Sequence, residues 1–218
     1  SFAHRAYHAI PKSLKRADGR PGNMLYGFSN MLMRLWEGER PRNVLVAWDT
    51  LEVPTYRHEV LDVYQSGREF EPELLEQLAI LPKLVASAGL AVAKAPGYEA
   101  DDFLGAAVSY EEAAGGTAFV ATSDRDAFQL ASAKTTILQP VRGEPPARIG
   151  PAEVRERYRV DPEHVPDFIA IRGDQSDKIP GARGVDRLDP RRLHALLLAV
   201  TTDHDPLRAA GLHHHDAH

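Results

Sequence analysis

Eight carboxylates stand in four short stretches of this chain, and three of the stretches share one plan: an apolar run, then acids where it stops. Asn43-Val44-Leu45-Val46-Ala47-Trp48 leads to Asp49. Leu90-Ala91-Val92-Ala93-Lys94-Ala95 leads through Pro96-Gly97-Tyr98 to Glu99, Asp101 and Asp102, and Ala118-Phe119-Val120-Ala121 leads through Thr122-Ser123 to Asp124 and Asp126. The fourth stretch, Gly173-Asp174-Gln175-Ser176-Asp177, carries two more. Groups just beyond the carboxyl ends of parallel strands meet along one edge of an open α/β sheet, so these acids are expected to converge. On a helix opening after Pro96-Gly97, Glu99 and Asp102 share a face while Asp101 points about 100° away. Carboxylates packed together without partners repel and raise one another's pKa. Hard divalent cations with oxygen ligands, Mg²⁺ or Mn²⁺, remove that penalty. The chain has no cysteine and these stretches hold no histidine, which argues against a thiolate or imidazole zinc site. Two such ions, about 4 Å apart, suit in-line hydrolysis of a phosphodiester.

Each acid taken singly also has a structural reading. Acids in a first helical turn are favoured by the helix dipole, Asp49 can close a turn, Asp124 and Asp126 can cap the following helix, and Asp174 and Asp177 can hold a loop. What those readings leave unexplained together is the repetition of acids at three strand ends. His4 and His8, at i and i+4, lack a companion Glu motif and read as surface residues. Arg5, Arg57, Tyr64, Arg68 and Arg125 are candidates to touch phosphate.

The elements that must position these acids alternate. Residues 1–10 read as a helix, 23–38 as a helix capped by Asn23 with a 3.6-residue apolar stripe, 43–48 as a strand, and 51–70 as polar and irregular. A helix over 71–88, a strand over 90–95, a helix over 99–113, a strand over 118–122, a short helix over 125–132 and a strand over 135–139 follow. This order predicts an α/β fold with a mostly parallel central sheet flanked by helices. Beyond Pro140 the texture changes to a Pro/Gly loop and short helices at 152–158, 162–171 and 190–200. The expected division is an α/β core over residues 1–140 carrying the acidic site, then a small helical subdomain and frayed tail over 141–218.

With 218 residues, 43% of them hydrophobic, the chain can bury a real core, and no apolar run is long enough to span a bilayer. The net charge of −5, taken whole, argues against a nucleic-acid partner, yet it is dominated by the proposed site. Of 31 acids, setting these eight aside leaves 23 against 26 Lys and Arg, a mildly basic remainder that permits phosphate binding. The absence of cysteine fits a reducing cytoplasm. The chain opens without Met on Ser1-Phe2-Ala3-His4-Arg5 in a helical pattern, which leads to the expectation of a segment upstream.

Three motifs in register resemble a known family. Gly97-Tyr98-Glu99-Ala100-Asp101-Asp102, Thr122-Ser123-Asp124-Arg125-Asp126 and Gly173-Asp174-Gln175-Ser176-Asp177-Lys178-Ile179-Pro180-Gly181 are similar, in order and spacing, to the 5′–3′ exonuclease and flap endonuclease family. The likeness extends to the N-terminal nuclease domains of bacterial DNA polymerases I and their free-standing relatives. Asn23 to Phe28 and Tyr56-Arg57-His58-Glu59 match as well, and the likeness covers roughly residues 1–185. The resemblance implies a PIN-like nuclease core with a C-terminal helix–hairpin–helix subdomain, and a soluble, nucleoid-associated, monomeric enzyme of DNA replication and repair. Its activity would be Mg²⁺- or Mn²⁺-dependent cleavage of DNA at 5′ flaps or 5′ ends, with RNA–DNA hybrids as a variant substrate. It implies tight metal ligation by Asp49, Glu99, Asp101 and Asp124, an acidic shell completed by Asp102, Asp126, Asp174 and Asp177, and DNA contacts from Arg5, Tyr64, Arg68 and Arg125.

The chain departs from the family pattern in three places. The family's opening strand, ending in Asp-Gly, has no counterpart before Ser1. Gln65 stands where the family carries a Lys after the Tyr. Asp186-Arg187-Leu188-Asp189-Pro190 interrupts the Gly-Lys hairpin at which a K⁺ ion would sit. Three alternatives stay open on the sequence: a non-catalytic DNA-binding remnant, an RNA-cutting relative, and a phosphatase using Asp124 as nucleophile. The last is disfavoured because Thr122-Ser123 separate Asp124 from its strand.

Overall fold

Two small sheets, each built on a parallel strand pair, share a helix that packs against both. The computed structural model describes residues 2–61, 64–65, 69–141 and 143–182. In chain order these form α1 (Phe2–Ala9), α2 (Asn23–Glu39), β1 (Leu45–Ala47), α3 (Arg57–Val60), α4 (Pro72–Ser87), β2 (Ala91–Ala93), α5 (Ala100–Ala113) and β3 (Ala118–Ala121). A 3₁₀ turn (Asp126–Leu130), β4 (Thr135–Gln139), β5 (Ala147–Ile149), α6 (Pro151–Tyr158), a second 3₁₀ turn (Pro162–His164) and α7 (Val165–Arg172) complete the order. Strand β1 pairs parallel with β2 in the register Val46↔Val92, and β3 pairs parallel with β4 in the register Val120↔Ile137. Strand β5 adds to β4 antiparallel, and α5 packs against both β1 and β3.

The expectation of one mostly parallel central sheet is corrected here: the described strands form two sheets, of two and three strands. Neither β1 nor β3 has a second partner strand among the described residues, and both line a cleft of about 2760 Å³ together with α1, α2 and α5. Leu45 and Phe119, on the two strands nearest the cleft, stay 38% and 44% exposed, so the space between the sheets is open. Among the described residues no helix is long and apolar enough to cross a membrane.

Each sheet has its own apolar cluster. On the β3–β4–β5 side, Val120, Phe128 and Ile137 pack with Val154 and Tyr158 of α6 and Phe168 of α7. The described helices after residue 150 therefore share a core with β3 and β4. Strand β5 lies in a stretch expected to be loop, where Ala147-Arg148-Ile149 alternates in burial. On the β1–β2 side, Tyr7, Met24, Phe28, Trp48, Leu81 and Val85 join α1, α2 and α4 around β1.

A buried polar knot locks this second cluster. Asn23 was expected to cap α2, but Gly22 occupies that position and the Asn23 side chain turns inward. Its amide donates to the Tyr7 carbonyl at 2.6 Å, and its Oδ1 accepts from Gln77 Nε2 at 3.1 Å. Gln77 Oε1 in turn accepts the Met24 N–H at 3.0 Å, satisfying one of the orphan donors of the α2 N-terminus. Asn23 and Gln77 are both buried, so every one of these bonds lies away from water. The predicted helix over 190–200, the interrupted hairpin with its K⁺ site, and Arg68 fall outside the described residues. Replacing Gln77 by Leu strands the Met24 N–H and the Asn23 carbonyl oxygen, and is expected to cost about 2–4 kcal/mol in urea unfolding at unchanged m-value.

Candidate metal centre

The Pro96-Gly97 turn and the first turn of α5 set the geometry. Gly97 takes φ +83°, a conformation only glycine adopts freely, and lets the chain turn from β2 into the helix. The helix start is pinned by acids acting on backbone donors. Asp49, just past β1, accepts the Ala100 N–H at 2.8 Å, and Asp102 Oδ2 accepts the Glu99 N–H at 2.8 Å. Asp124 follows β3 in a turn held by its own N–H donating to Thr122 Oγ1, and its Oδ1 accepts the Asp126 N–H at 3.2 Å.

Asp174 and Asp177 come from a loop that closes on itself. Asp174 and Ile179 exchange backbone bonds of 2.9 and 2.7 Å, and Asp174 Oδ1 accepts both the N–H and the hydroxyl of Ser176. Gly173, at φ +84°, lets the two limbs meet, since a Cβ there would lie 2.7 Å from the Ile179 carbonyl oxygen.

Electrostatics tie these elements into one site. Burial, then Asp124, Asp49 and Glu99, push the Asp101 carboxyl from the ordinary 3.8 up to about 7. Burial, then Asp124, Asp174, Asp177 and Asp101, push Asp126 up to about 7 as well. Asp124 thus bears on both groups, and acids from the end of β1, α5, the β3 turn and the Asp174 loop lie within electrostatic reach of Asp101 or Asp126. Asp126, Asp174 and Asp177 each offer a carboxylate oxygen within 4.8 Å of the others. An all-carboxylate, self-repelling donor set of this kind fits hard divalent cations and offers nothing to soft ones.

The remaining candidates divide. Glu99 is buried, with Oε1 accepting from Thr55 at 3.2 Å and Oε2 from Tyr64 at 3.1 Å; burial raises its pKa. Asp102 is gripped by Arg57 and Tyr56. Burial alone would raise it, but the Arg57 bonds and the Glu99 N–H hold it below the usual carboxylate range. Tyr64, a candidate to touch DNA, is buried, and its hydroxyl donates to Glu99. Gln65, where the family carries a Lys, donates to Asp177 Oδ1 at 3.1 Å and to the Tyr64 hydroxyl at 3.0 Å. Arg5 lines the cleft and Arg125 is exposed beside the acids. The role of Thr55, Tyr56 and Gln65 had no signal in residue spacing, since each acts across the fold.

The comparisons with known proteins give the family and the fold. The family model described as "5′-3′ exonuclease, N-terminal resolvase-like domain" matches residues 1–159. The chain belongs to the 5′–3′ exonuclease family. It is 39% identical over 195 residues to the thermostable DNA polymerase I of Thermus filiformis, and 37% identical over 188 residues to the DNA polymerase I of Mycobacterium bovis. Those matches take in 89% and 85% of this chain but only 22% and 21% of the polymerases, so it spans about a fifth of their length. In fold it is similar to the bacteriophage T5 D15 flap endonuclease solved with DNA and metal ions, with TM-score 0.70 and 18% identity over 91% of this chain and 73% of that one. The catalytic core of Rad2 with DNA gives TM-score 0.54 and 16% identity over 91% and 58%.

The sign of the pH dependence follows from the two raised carboxyls. Below about pH 7 the folded chain keeps protons on Asp101 and Asp126 that the unfolded chain releases near 3.8. Raising the pH through that window therefore removes stability from the metal-free protein. In EDTA, wild type is expected to melt below Asp101→Asn at about pH 8, with the gap closing towards about pH 4; a gap independent of pH would contradict the raised carboxyl.

Proposed function

We propose that this chain is a Mg²⁺- or Mn²⁺-dependent nuclease that hydrolyses DNA phosphodiesters at 5′ ends and 5′ flaps. The observation that carries the reading is the gathering of Asp126, Asp174 and Asp177 within 4.8 Å of one another, with Asp49, Asp101 and Asp124 from three further strand and helix ends bearing on the same acids. Asp49, Glu99, Asp101 and Asp124 would hold one ion, and Asp126, Asp174 and Asp177 a second. What such ions supply is an activated water near neutral pH and neutralisation of charge on the leaving oxygen. The chain's own groups do the rest. The carboxylates fix where the scissile phosphate can lie, since a phosphodiester approaches so acidic a pocket only when its charge is covered. Arg125, exposed at the rim, and Arg5, in the cleft, are the cations proposed to meet the DNA backbone. Gln65, engaged with Asp177, adds no charge to that steering.

The family membership and the DNA-bound neighbours support DNA as the substrate class. A labelled duplex with a 5′ single-stranded flap, incubated with Mg²⁺ or EDTA, tests the reading. Cleavage is expected only with the metal, and a matched flap of ribonucleotides tests the rival RNA-cutting assignment. Asp124→Ala and Asp101→Ala are each expected to lower the rate roughly a hundredfold or more while the chain remains folded. Metal-independent cleavage, or variants as fast as wild type, would sink the assignment.

A further inference from the structure

Arg57 closes a tight polar clamp beside the acids. It opens α3, inside a segment whose sequence looked irregular, yet its guanidinium takes both oxygens of one carboxylate. Nη2 donates to Asp102 Oδ1 at 2.8 Å and Nη1 to Oδ2 at 3.0 Å, the forked geometry that gives Arg–carboxylate pairs their directionality. Asp102 accepts two more donors, the Tyr56 hydroxyl on Oδ1 at 3.2 Å and the Glu99 N–H on Oδ2 at 2.8 Å. An ionised carboxylate has about four acceptor positions, so this set of donors occupies Asp102. The same guanidinium stands 3.8 Å from Glu99 Oε2 and over the Tyr56 ring at 4.7 Å. Arg57 and Asp102 are largely withdrawn from solvent, with side chains 27% and 19% exposed.

The clamp also decides where its neighbours point. Glu99, Asp101 and Asp102 occupy the cap and first turn of α5. Fixing Asp102 to α3 and the Ala100 N–H to Asp49 holds that turn from two sides. Asp101, about 100° round the helix from Asp102, has Asp124, Asp49 and Glu99 as its neighbouring carboxylates.

We propose that Asp102 is not a metal ligand but the anchor of Arg57, and that Arg57 is a positioning residue which sets the affinity of the site for divalent ions by orienting Glu99 and Asp101. The proposal rests on the metal-dependent reading above. It makes a prediction whose sign opposes simple electrostatics. Deleting a cation 3.8 Å from Glu99 should, by charge alone, strengthen Mg²⁺ binding, and freeing Asp102 should strengthen it further. Loss of orientation weakens it.

Calorimetric titration of the 218-residue chain with Mg²⁺, without DNA, separates the two. Arg57→Ala is expected to weaken binding by roughly 10- to 100-fold, the range for residues that orient ligands. Arg57→Lys, which keeps the charge but loses the fork, is expected to fall between it and wild type. Arg57→Ala combined with Asp102→Asn is expected to be no weaker than the worse single variant, because both break one clamp. Melting in EDTA reports any general loss of stability. A lower melting temperature with unchanged Mg²⁺ affinity in Arg57→Ala overturns the proposal, as does tighter binding. Should Arg57→Ala not fold, Arg57→Lys with wild-type Mg²⁺ affinity overturns it equally. A wild-type chain that takes up no Mg²⁺ overturns both the clamp and the function beneath it.

Discussion

Mutual repulsion among carboxylates is the constraint on which this architecture turns. Burial first, and the neighbouring carboxylates after it, raise the energy of the charged forms of Asp101 and Asp126 and hold both near pKa 7. A chain selected for stability alone would disperse such groups or pair each with a cation. Here their backbones are nailed in place instead, by the Ala100 N–H on Asp49, the Asp126 N–H on Asp124 and the closed loop around Asp174. The fold accepts unfavourable side-chain electrostatics and offsets them with local hydrogen bonds, a pattern expected where a charge-dense ligand completes the site.

The acids are not equivalent once their donors are counted. Asp102 carries four, Glu99 carries one on each oxygen, and Asp174 concentrates two on Oδ1 and leaves Oδ2 unused by them. Asp101 and Asp126 are shifted by other carboxylates and by burial. Donor saturation therefore grades a set of eight residues that look alike in the primary structure. The acid with four donors, Asp102, lies towards α3.

Much of this was legible before any coordinates. Strands ending in acids are visible as apolar runs followed by Asp, and β1, β2 and β3 fall within the expected spans because each run is bounded by Pro, Gly or polar residues. Helices α2, α4 and α5 follow from their apolar periodicity. The misses have common causes. Strand β5 is three residues long and owes its existence to pairing with β4, which no local pattern encodes. Asn23 looks like a cap by residue type, but a buried partner 54 positions away, Gln77, claims its side chain. Type and spacing mark Tyr64 and Arg57 as polar candidates without revealing that the first bonds Glu99 and the second Asp102.

The division of the sheet bears on how the site survives. Strands β1 and β3 carry acids at their ends, yet no ladder among the described residues joins them, and an open cleft adjoins both. Helix α5 supplies the continuity, since it packs on both strands and begins where their acids meet. Side-chain ties reinforce it: Tyr64 to Glu99, Gln65 to Asp177 and Arg57 to Asp102 attach the segment after β1 to α5 and to the Asp174 loop. Among the described residues, one helix start and the polar residues that grip it tie the two strand pairs to the acids. A small change in geometry at the first turn of α5 is therefore felt directly at Glu99, Asp101 and Asp102, which stand on it.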